Sequence, residues 1–407
     1  MTRYVIIGAG PAGMRAAEVL RAADAAADIL LIGDEPYPPY DRPPLSKAFL
    51  TDGIAPATLY LKPESFYAEQ RIALRLGTTA TRIDRAAQAV HLADGERVAY
   101  DRLLIATGCH ARRLPAQFAA AAIHYLRSLA DAERLRALLA PGREIILIGG
   151  GFIGLELAAS ATKRGAKVTV LEALPRLMAR ALPTLVGDYA RQLHERHGVR
   201  FEFAARIQSI GRAADGGAVV TTALADYAGD IVVAGIGAAP NAALAEEAGL
   251  AVADGVVVDA QGRTDDPDIF AAGDVTRHMN PLLGRFLRVE SWQVALNQAA
   301  AVARAMVGGA NDYGELPWLW TDQYDCNIQV LGVVDPALAM IRRGDGPAFT
   351  LIGLDGEGRI AAAITVNNGR DMAVLRRLAT MRAHVPSAAL ADPAVKLAEL
   401  LKAARGA

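Results

Sequence analysis

The stretch that decides the fold is Tyr4-Val5-Ile6-Ile7-Gly8-Ala9-Gly10-Pro11-Ala12-Gly13. A short apolar run enters glycines in the order G-x-G-x-x-G, and a helical pattern follows. Such a run predicts a tight turn at the end of a buried strand. Gly8 lets the chain turn, Gly10 lets the backbone approach a pyrophosphate, and Gly13 lets helix and strand pack closely; the helix N-terminus then faces the phosphate charge. The pattern recurs in Ile145-Ile146-Leu147-Ile148-Gly149-Gly150-Gly151-Phe152-Ile153-Gly154. One such match is a modest signal. Two in one chain predict two bound dinucleotides.

Working outward from the first turn, residues 3–8 read as a strand and 11–23 as a helix with Ala12, Ala16, Val19 and Leu20 on one face. A second strand, Ile29-Leu30-Leu31-Ile32, ends at Gly33-Asp34-Glu35, where a carboxylate is placed for an adenosine ribose; Asp34 and Glu35 both fit. Residues 72–105 read as short strands with Asp94-Gly95 as a hairpin tip. They end at Leu103-Leu104-Ile105-Ala106-Thr107-Gly108, where the chain leaves the first nucleotide domain. It returns through Thr264–Asp274, whose final Asp274 is placed for a polyol hydroxyl, and a helix over roughly 291–307 with Ala295, Ala299, Val302 and Met306 as an inner stripe.

Around the second turn, the helix 152–164 carries Glu156 among Phe152, Ile153, Leu155 and Leu157. An unpaired carboxylate in such company is costly. Far upstream, Pro39-Tyr40-Asp41-Arg42-Pro43-Pro44-Leu45-Ser46-Lys47 fixes extended backbone and then opens a helix, with Lys47 in its first turn against the dipole. A lysine there is ordinarily exposed and indifferent; a buried carboxylate would give it a role, and Glu156 is expected to pair with it across the domain interface. The strand Val168-Thr169-Val170-Leu171 ends at Glu172, placed to bind the 2′-hydroxyl of NADH and to repel the 2′-phosphate of NADPH, although Arg176 and Arg180 lie nearby. Ile231-Val232-Val233-Ala234 ends at Gly235-Ile236-Gly237, small enough for a nicotinamide to approach.

From Leu316 the composition shifts: Pro317-Trp318-Leu319-Trp320-Thr321-Asp322-Gln323-Tyr324 gathers three aromatics, and strands at 327–334, 348–354 and 359–366 precede a helical tail from about 371. Trp318 and Trp320 suit packing as well as a redox role. The fold expected is therefore α/β: two Rossmann-like dinucleotide-binding domains, residues 1–111 with 241–315 and residues 112–240, plus a small α+β C-terminal domain, 316–407.

The bulk numbers agree with this. A chain of 407 residues, 52% hydrophobic and 21% charged, holds several cores, and a net charge of −1 disfavours nucleic acid as a partner. The basic pairs Arg112-Arg113, Arg342-Arg343 and Arg376-Arg377 read as solvated surface. Two distant cysteines, Cys109 and Cys326, exclude a disulfide framework and a cysteine-rich metal site, so no metal is expected. Low cysteine use, a strand beginning straight after Met1-Thr2, and apolar runs broken by Gly, Glu or Arg predict a cytoplasmic protein with no signal peptide and no membrane span.

Taken together the motifs resemble those of the FAD-dependent pyridine-nucleotide oxidoreductases. Within them the chain is most similar to the ferredoxin reductases that serve aromatic ring-hydroxylating dioxygenases and bacterial cytochrome monooxygenases. The resemblance runs over essentially the full length. It rests on Tyr40–Lys47, the second glycine turn with Glu156, Ala271-Ala272-Gly273-Asp274, and Trp318–Tyr324; the glycine turns are generic, the proline- and tryptophan-rich stretches much more selective. It implies FAD bound through Gly8, Gly10, Ala12, Gly13, Asp34 or Glu35, Arg42, Lys47, Ala80, Ala106, Thr107, Gly108, Arg127, Asp274 and Trp292. NADH is implied at Gly149, Gly151, Phe152, Ile153, Gly154, Glu156, Glu172, Gly235, Ile236 and Gly237. Lys47, Glu156 and Trp320 are implied at the reacting centre, with Trp320 beside the flavin and the ferredoxin dock. The helix end at Trp292 is placed to stabilise the anionic reduced ring. The resemblance further implies hydride transfer from nicotinamide to flavin and single-electron transfer to a [2Fe–2S] ferredoxin, with the cofactors carrying the chemistry. Thr321 stands where the family usually has serine.

Two other readings stay open. The acceptor on the same scaffold is rubredoxin, a quinone or O₂; or the chain is a redox-sensing interaction protein resembling apoptosis-inducing factor. Disulfide reductases and NADH peroxidases need cysteine after the second strand, and residues 43–50 contain none. A monomer or homodimer is expected.

Overall fold

The computed structural model describes residues 1–118, 122–213, 216–310 and 312–406. The chain forms two compact units: Met1–Asp41 with Ala57–His110 and Ala239–Trp318, and Arg42–Pro56 with Ala111–Ala238 and Leu319–Ala407.

In the first unit a five-stranded parallel sheet runs in the order Ile269–Ala271, Arg102–Ile105, Arg3–Ile7, Asp28–Ile32, Ile72–Arg75. Its register sets Tyr4 beside Ile29 and Arg102, and Ile7 beside Ile32 and Ile105. The strands are apolar without alternation because both faces are covered. One face receives the helices Pro11–Ala23 and Trp292–Met306, which meet through Ala16, Ala299 and Ala303, all fully buried. The other face packs on Val90, Leu92 and Val98 of the antiparallel strands Ala80–Asp84, Ala89–Leu92 and Arg97–Ala99. The expected tip at Asp94-Gly95 is present, with Gly95 at φ +88°.

The second unit repeats the plan. Its parallel sheet runs Arg200–Phe203, Lys167–Glu172, Glu144–Ile148, Ile231–Ala234, Ile123–His124. The helix Phe152–Lys163 follows the glycine turn. A second five-stranded sheet runs Trp318–Gln323, Cys326–Gly332, Ile360–Val366, Phe349–Leu354, Ala339–Arg343. The helix Gly369–Thr380 buries Met372, Leu375 and Leu378.

One expectation, for Lys47, changes, and two packing features accompany it. The C-terminal sheet shares a core with the second nucleotide half: Leu155, Leu177, Val186 and Leu193 lie in one apolar cluster with Ile328, Phe349 and Ile364. The proline-rich segment 42–56 packs within the second unit, where Ser160 Oγ donates to the Ser46 carbonyl at 2.6 Å and Arg164 to that of Leu50 at 2.7 Å. Lys47 does not sit inside a helical first turn. A 3₁₀ turn, Pro43–Ser46, closes with Lys47 N–H on the Pro44 carbonyl at 3.0 Å; the short helix Ala48–Thr51 then starts from the Lys47 carbonyl.

Candidate functional site

Each glycine turn divides its labour. In the first unit Gly8 has φ +117°, and a Cβ there would lie 2.1 Å from the Ala106 oxygen; a Cβ on Gly13 would lie 2.0 Å from the Gly8 oxygen. Those two glycines are required by the protein's own packing. Gly10 is different. Its φ is an ordinary −94°, and no heavy atom lies within 4 Å of a Cβ built on it. Gly10 is the N-cap of the helix Pro11–Ala23 and supplies no side-chain cap, so open space lies in front of a helix end. Such a cradle, open space before the free N–H groups of a helix end, suits an anionic group such as a phosphate.

The second unit repeats the arrangement. A Cβ on Gly149, at φ +107°, would meet the Gly235 oxygen at 2.4 Å, and one on Gly154 the Gly149 oxygen at 2.2 Å. Gly151, the uncapped N-cap of Phe152–Lys163 at φ −85°, again meets nothing within 4 Å.

Around the first cradle, Ala12 packs toward Gly273, where a Cβ would stand 3.0 Å from the Ala12 methyl, which brings Asp274 to the same sheet edge. The Cys109 thiol donates to Asp274 Oδ2 at 3.3 Å. Thr107 and Gly108 are clasped by Asn241: the Thr107 hydroxyl donates to the Asn241 carbonyl and Asn241 Nδ2 to the Thr107 carbonyl, both at 2.8 Å. Asp34 is exposed, whereas Glu35 accepts from the Tyr40 hydroxyl at 2.7 Å. Trp292, the first residue of its helix, donates from Nε1 to Asp41 at 2.7 Å. Ala80 stands apart, buried in the small antiparallel sheet.

Around the second cradle, Glu172 ends its strand buried, its carboxylate accepting from the backbone N–H of Gly150 at 2.6 Å and of Leu174 at 2.8 Å. Arg176 is spent locally on the carbonyls of Leu182 and Ala179, at 2.6 and 2.9 Å, while Arg180 is exposed. Ile153 is 46% exposed beside the helix start. Ile236 is half-buried, and Gly237, at φ +106°, borders open space.

Lys47, Glu156 and Trp320 come together within the second unit. Lys47 Nζ stands 3.2 Å from Glu156 Oε1, 3.8 Å from Asp322 Oδ2 and 5.7 Å from the Trp320 ring centre. The expected pair thus exists inside one unit rather than across two. Ser46 Oγ donates to Glu156 Oε2, and Thr321 Oγ1 donates to Oε1 at 2.7 Å. Trp320 Nε1 donates to Asp322 at 3.1 Å. Glu156 is 4% exposed; burial pushes its carboxyl above the ordinary range, and Lys47, Ser46 and Thr321 pull against that rise. Arg42 donates to the Arg127 carbonyl at 2.8 Å, and Ser128 and Asp131 close a capping box directly after it.

Sequence reasoning did not single out Ser46, Asp322 or Asn241 for the site. Each is a common polar residue in a loop or strand, and nothing local marks it; an acid buried in an apolar helix was the one signal that donors had to exist nearby.

Residues 2–299 match the family model described as pyridine nucleotide-disulphide oxidoreductase, and the chain belongs to that family. Residues 318–401 match a second model, described as reductase C-terminal. The chain is 50% identical over 402 residues to the anthranilate 1,2-dioxygenase system ferredoxin--NAD(+) reductase component of Burkholderia cepacia, covering 98% of this chain and 99% of the relative. It is 40% identical over 400 residues to rhodocoxin reductase of Rhodococcus erythropolis, covering 97% and 93%. The crystal structure of the covalent putidaredoxin reductase-putidaredoxin complex superposes with a TM-score of 0.95 at 36% identity, covering 100% of this chain and 99% of that one. The chain is an oxidoreductase with the mixed α/β architecture expected.

Proposed function

We propose that this chain is an NADH-dependent flavoprotein reductase that passes electrons from NADH, through FAD, one at a time to a [2Fe–2S] ferredoxin feeding an oxygenase. The observation that carries the reading is the doubled glycine turn, in which Gly10 and Gly151 each leave open space before an uncapped helix end. Full-length likeness to reductases of ferredoxin-type carriers supports the acceptor.

FAD and NADH supply the redox chemistry when bound. The residues of the chain bind and orient. Gly8, Gly10, Ala12 and Gly13 offer the first helix end to the pyrophosphate of FAD, and Asp34 or Glu35 and Asp274 accept from its hydroxyls. Ala106, Thr107 and Gly108 form the wall held by Asn241. Arg42, Ala80, Arg127 and Trp292 complete the proposed flavin set. Gly149, Gly151 and Gly154 offer the second helix end to NADH, and Phe152, Ile153, Gly235, Ile236 and Gly237 line its approach. Glu172 selects NADH: its carboxylate stays fixed by two backbone amides and opposes a 2′-phosphate, and Arg176 is held by carbonyls and not aimed at one. Lys47 keeps an ammonium beside the redox centre, and Glu156 holds it in place. We place Trp320 at the exit toward the ferredoxin.

We further read the chain as three domains, 1–111 with 241–315, 112–240 and 316–407, and as a cytoplasmic monomer or homodimer. Among the described residues no helix is long and apolar enough to cross a membrane.

The test is rapid mixing. NADH is expected to reduce the bound flavin at least about tenfold faster than NADPH; equal rates reject the role of Glu172. Trp320→Ala is expected to slow transfer to a [2Fe–2S] ferredoxin about tenfold while sparing flavin reduction. A wild-type enzyme that reduces rubredoxin or O₂ quickly and ferredoxin not at all overturns the acceptor.

A further inference from the structure

The hydrogen bonds do not stop at Glu156. The Thr321 hydroxyl has one hydrogen, and it goes to the Glu156 carboxylate at 2.7 Å. Its oxygen is left to accept, and Gln323 Nε2 donates to it at 3.1 Å. That fixes the Gln323 amide, whose oxygen then faces His194 Nε2 at 3.0 Å. An amide oxygen only accepts, so Nε2 carries the hydrogen. In a neutral ring Nδ1 must then accept, and the Tyr324 hydroxyl stands 3.2 Å from it to donate. The Thr162 hydroxyl, its own hydrogen spent on the Ala158 carbonyl at 2.9 Å, shares the Tyr324 donor with Nδ1; from His194 through Gln323 and Thr321 every hydrogen points toward Glu156.

The chain is dry. His194, Gln323 and Thr321 are fully buried. Burial pushes the His194 imidazole down to about 4, against a favourable hydrogen bond donated to Gln323, so the ring is neutral at ordinary pH. The far end is also fastened. Tyr324 occupies a two-residue turn with φ +59°, a conformation that glycine usually takes. Such a backbone persists only where its surroundings over-determine it. Here the Tyr324 hydroxyl also lies 3.1 Å from that of Thr162, and its ring stacks on His197 with centres 3.6 Å apart and 9° between planes.

We infer that His194 is a positioning residue for the Glu156–Lys47 pair: held by the Gln323 amide oxygen as its Nε2–H tautomer, with Tyr324 on its other nitrogen, it aligns the Gln323 and Thr321 donors on the carboxylate and keeps it ionised. This rests on the reading of Lys47 and Glu156 as the ion pair of the redox centre. The groups that face His194 are Gln323, Tyr324, His197 and the Phe201 ring; those that face Glu156 are Ser46, Lys47 and Thr321, with Asp322 beyond Lys47.

The test uses nitrogen NMR of the holoprotein labelled at its seven histidines, from about pH 8 to about pH 5. One ring, identified by its loss in His194→Phe, is expected to stay neutral and Nε2-protonated throughout. An Nδ1–H tautomer, or titration above about pH 6, overturns the inference. This readout needs no turnover, so it stands even if the protein proves not to reduce ferredoxin. The second readout is the pH profile of flavin reduction by NADH. Tyr324→Phe keeps the stacked ring and deletes the hydroxyl that meets His194 and Thr162; it is expected to raise the acid-side inflection by about half a pH unit, and His194→Phe by about one. Variants that lower thermal stability and leave that inflection in place reduce the chain to packing and overturn the proposal.

Discussion

Gly10 and Gly151 have ordinary backbone angles and touch nothing, whereas Gly8 and Gly149 have positive φ and lie against carbonyl oxygens. One added methyl group should therefore separate folding from binding. Gly151→Ala is expected to leave the melting temperature within about 2 °C of wild type and to raise KM for NADH about tenfold or more. Gly149→Ala forces a Cβ to 2.4 Å from the Gly235 oxygen and is expected to lower stability by about 3 kcal/mol or to prevent folding. In the first unit Gly10→Ala is expected to follow Gly151→Ala, folding normally and losing FAD retention, and Gly8→Ala to follow Gly149→Ala and lose stability. Steady-state kinetics and thermal melts decide it, and a Gly151→Ala enzyme with normal KM removes the second cradle. These residues were legible in the sequence because each glycine has a reason of its own. Glu156 was legible as a charge among apolar neighbours. Ser46 and Asn241 were not, since a hydroxyl or amide that finds its partner more than a hundred residues away has no periodic signature.

Single elements are held by less visible means. Arg343 ends the strand Ala339–Arg343 almost wholly buried. Its guanidinium donates to the carbonyls of Leu390, Asp392, Pro393 and Val395 and pairs with Asp371 at 3.3 Å. It replaces the backbone partners that the irregular segment after the helix Ser387–Ala391 lacks. Arg343→Met strands those carbonyls and Asp371 and is expected to cost about 3 kcal/mol in denaturant unfolding; Arg343→Lys reaches too few of them to restore more than a part. A loss below about 1 kcal/mol would show the tail to be fastened elsewhere. The sequence suggested only a solvated Arg342-Arg343 pair here, because a buried arginine that binds carbonyls has the same one-dimensional signature as an exposed one. The strands at the nucleotide turns were read within a residue or two, since unbroken apolar runs ending in glycine are strong signals. The edge strands Trp318–Gln323 and Ala339–Arg343 were not, as their polar residues obscure the alternation.

For the whole molecule, acid is the revealing stress. Burial pushes His194 and His278 down to about 4 from an ordinary 6.5, and the nitrogens of His278 have no hydrogen-bond partner among the described residues. The unfolded chain takes up protons as pH falls through 6.5 and the folded chain does not until about 4, so stability is complete above that window and declines within it. Each ring costs roughly 2 kcal/mol by about pH 5. Glu156, whose carboxyl is raised, works in the opposite direction, its burial growing cheaper as pH falls. His278→Met should flatten the loss between about pH 7 and about pH 5 by roughly 2 kcal/mol in denaturant titrations, and an unchanged slope rejects the assignment. The fold class was readable at this scale from the two glycine turns alone. What was not readable was that one face of the C-terminal sheet packs into the second nucleotide half while the other packs on the helix Gly369–Thr380, because shared burial is a property of two surfaces and neither announces the other. That sharing has a practical edge for anyone who wants to graft the tail of one relative onto another to redirect its choice of carrier. A seam at Trp318 cuts off one side of that shared apolar cluster, so the donor tail must travel with the host residues it grew up against, Leu155, Val186 and Leu193 among them.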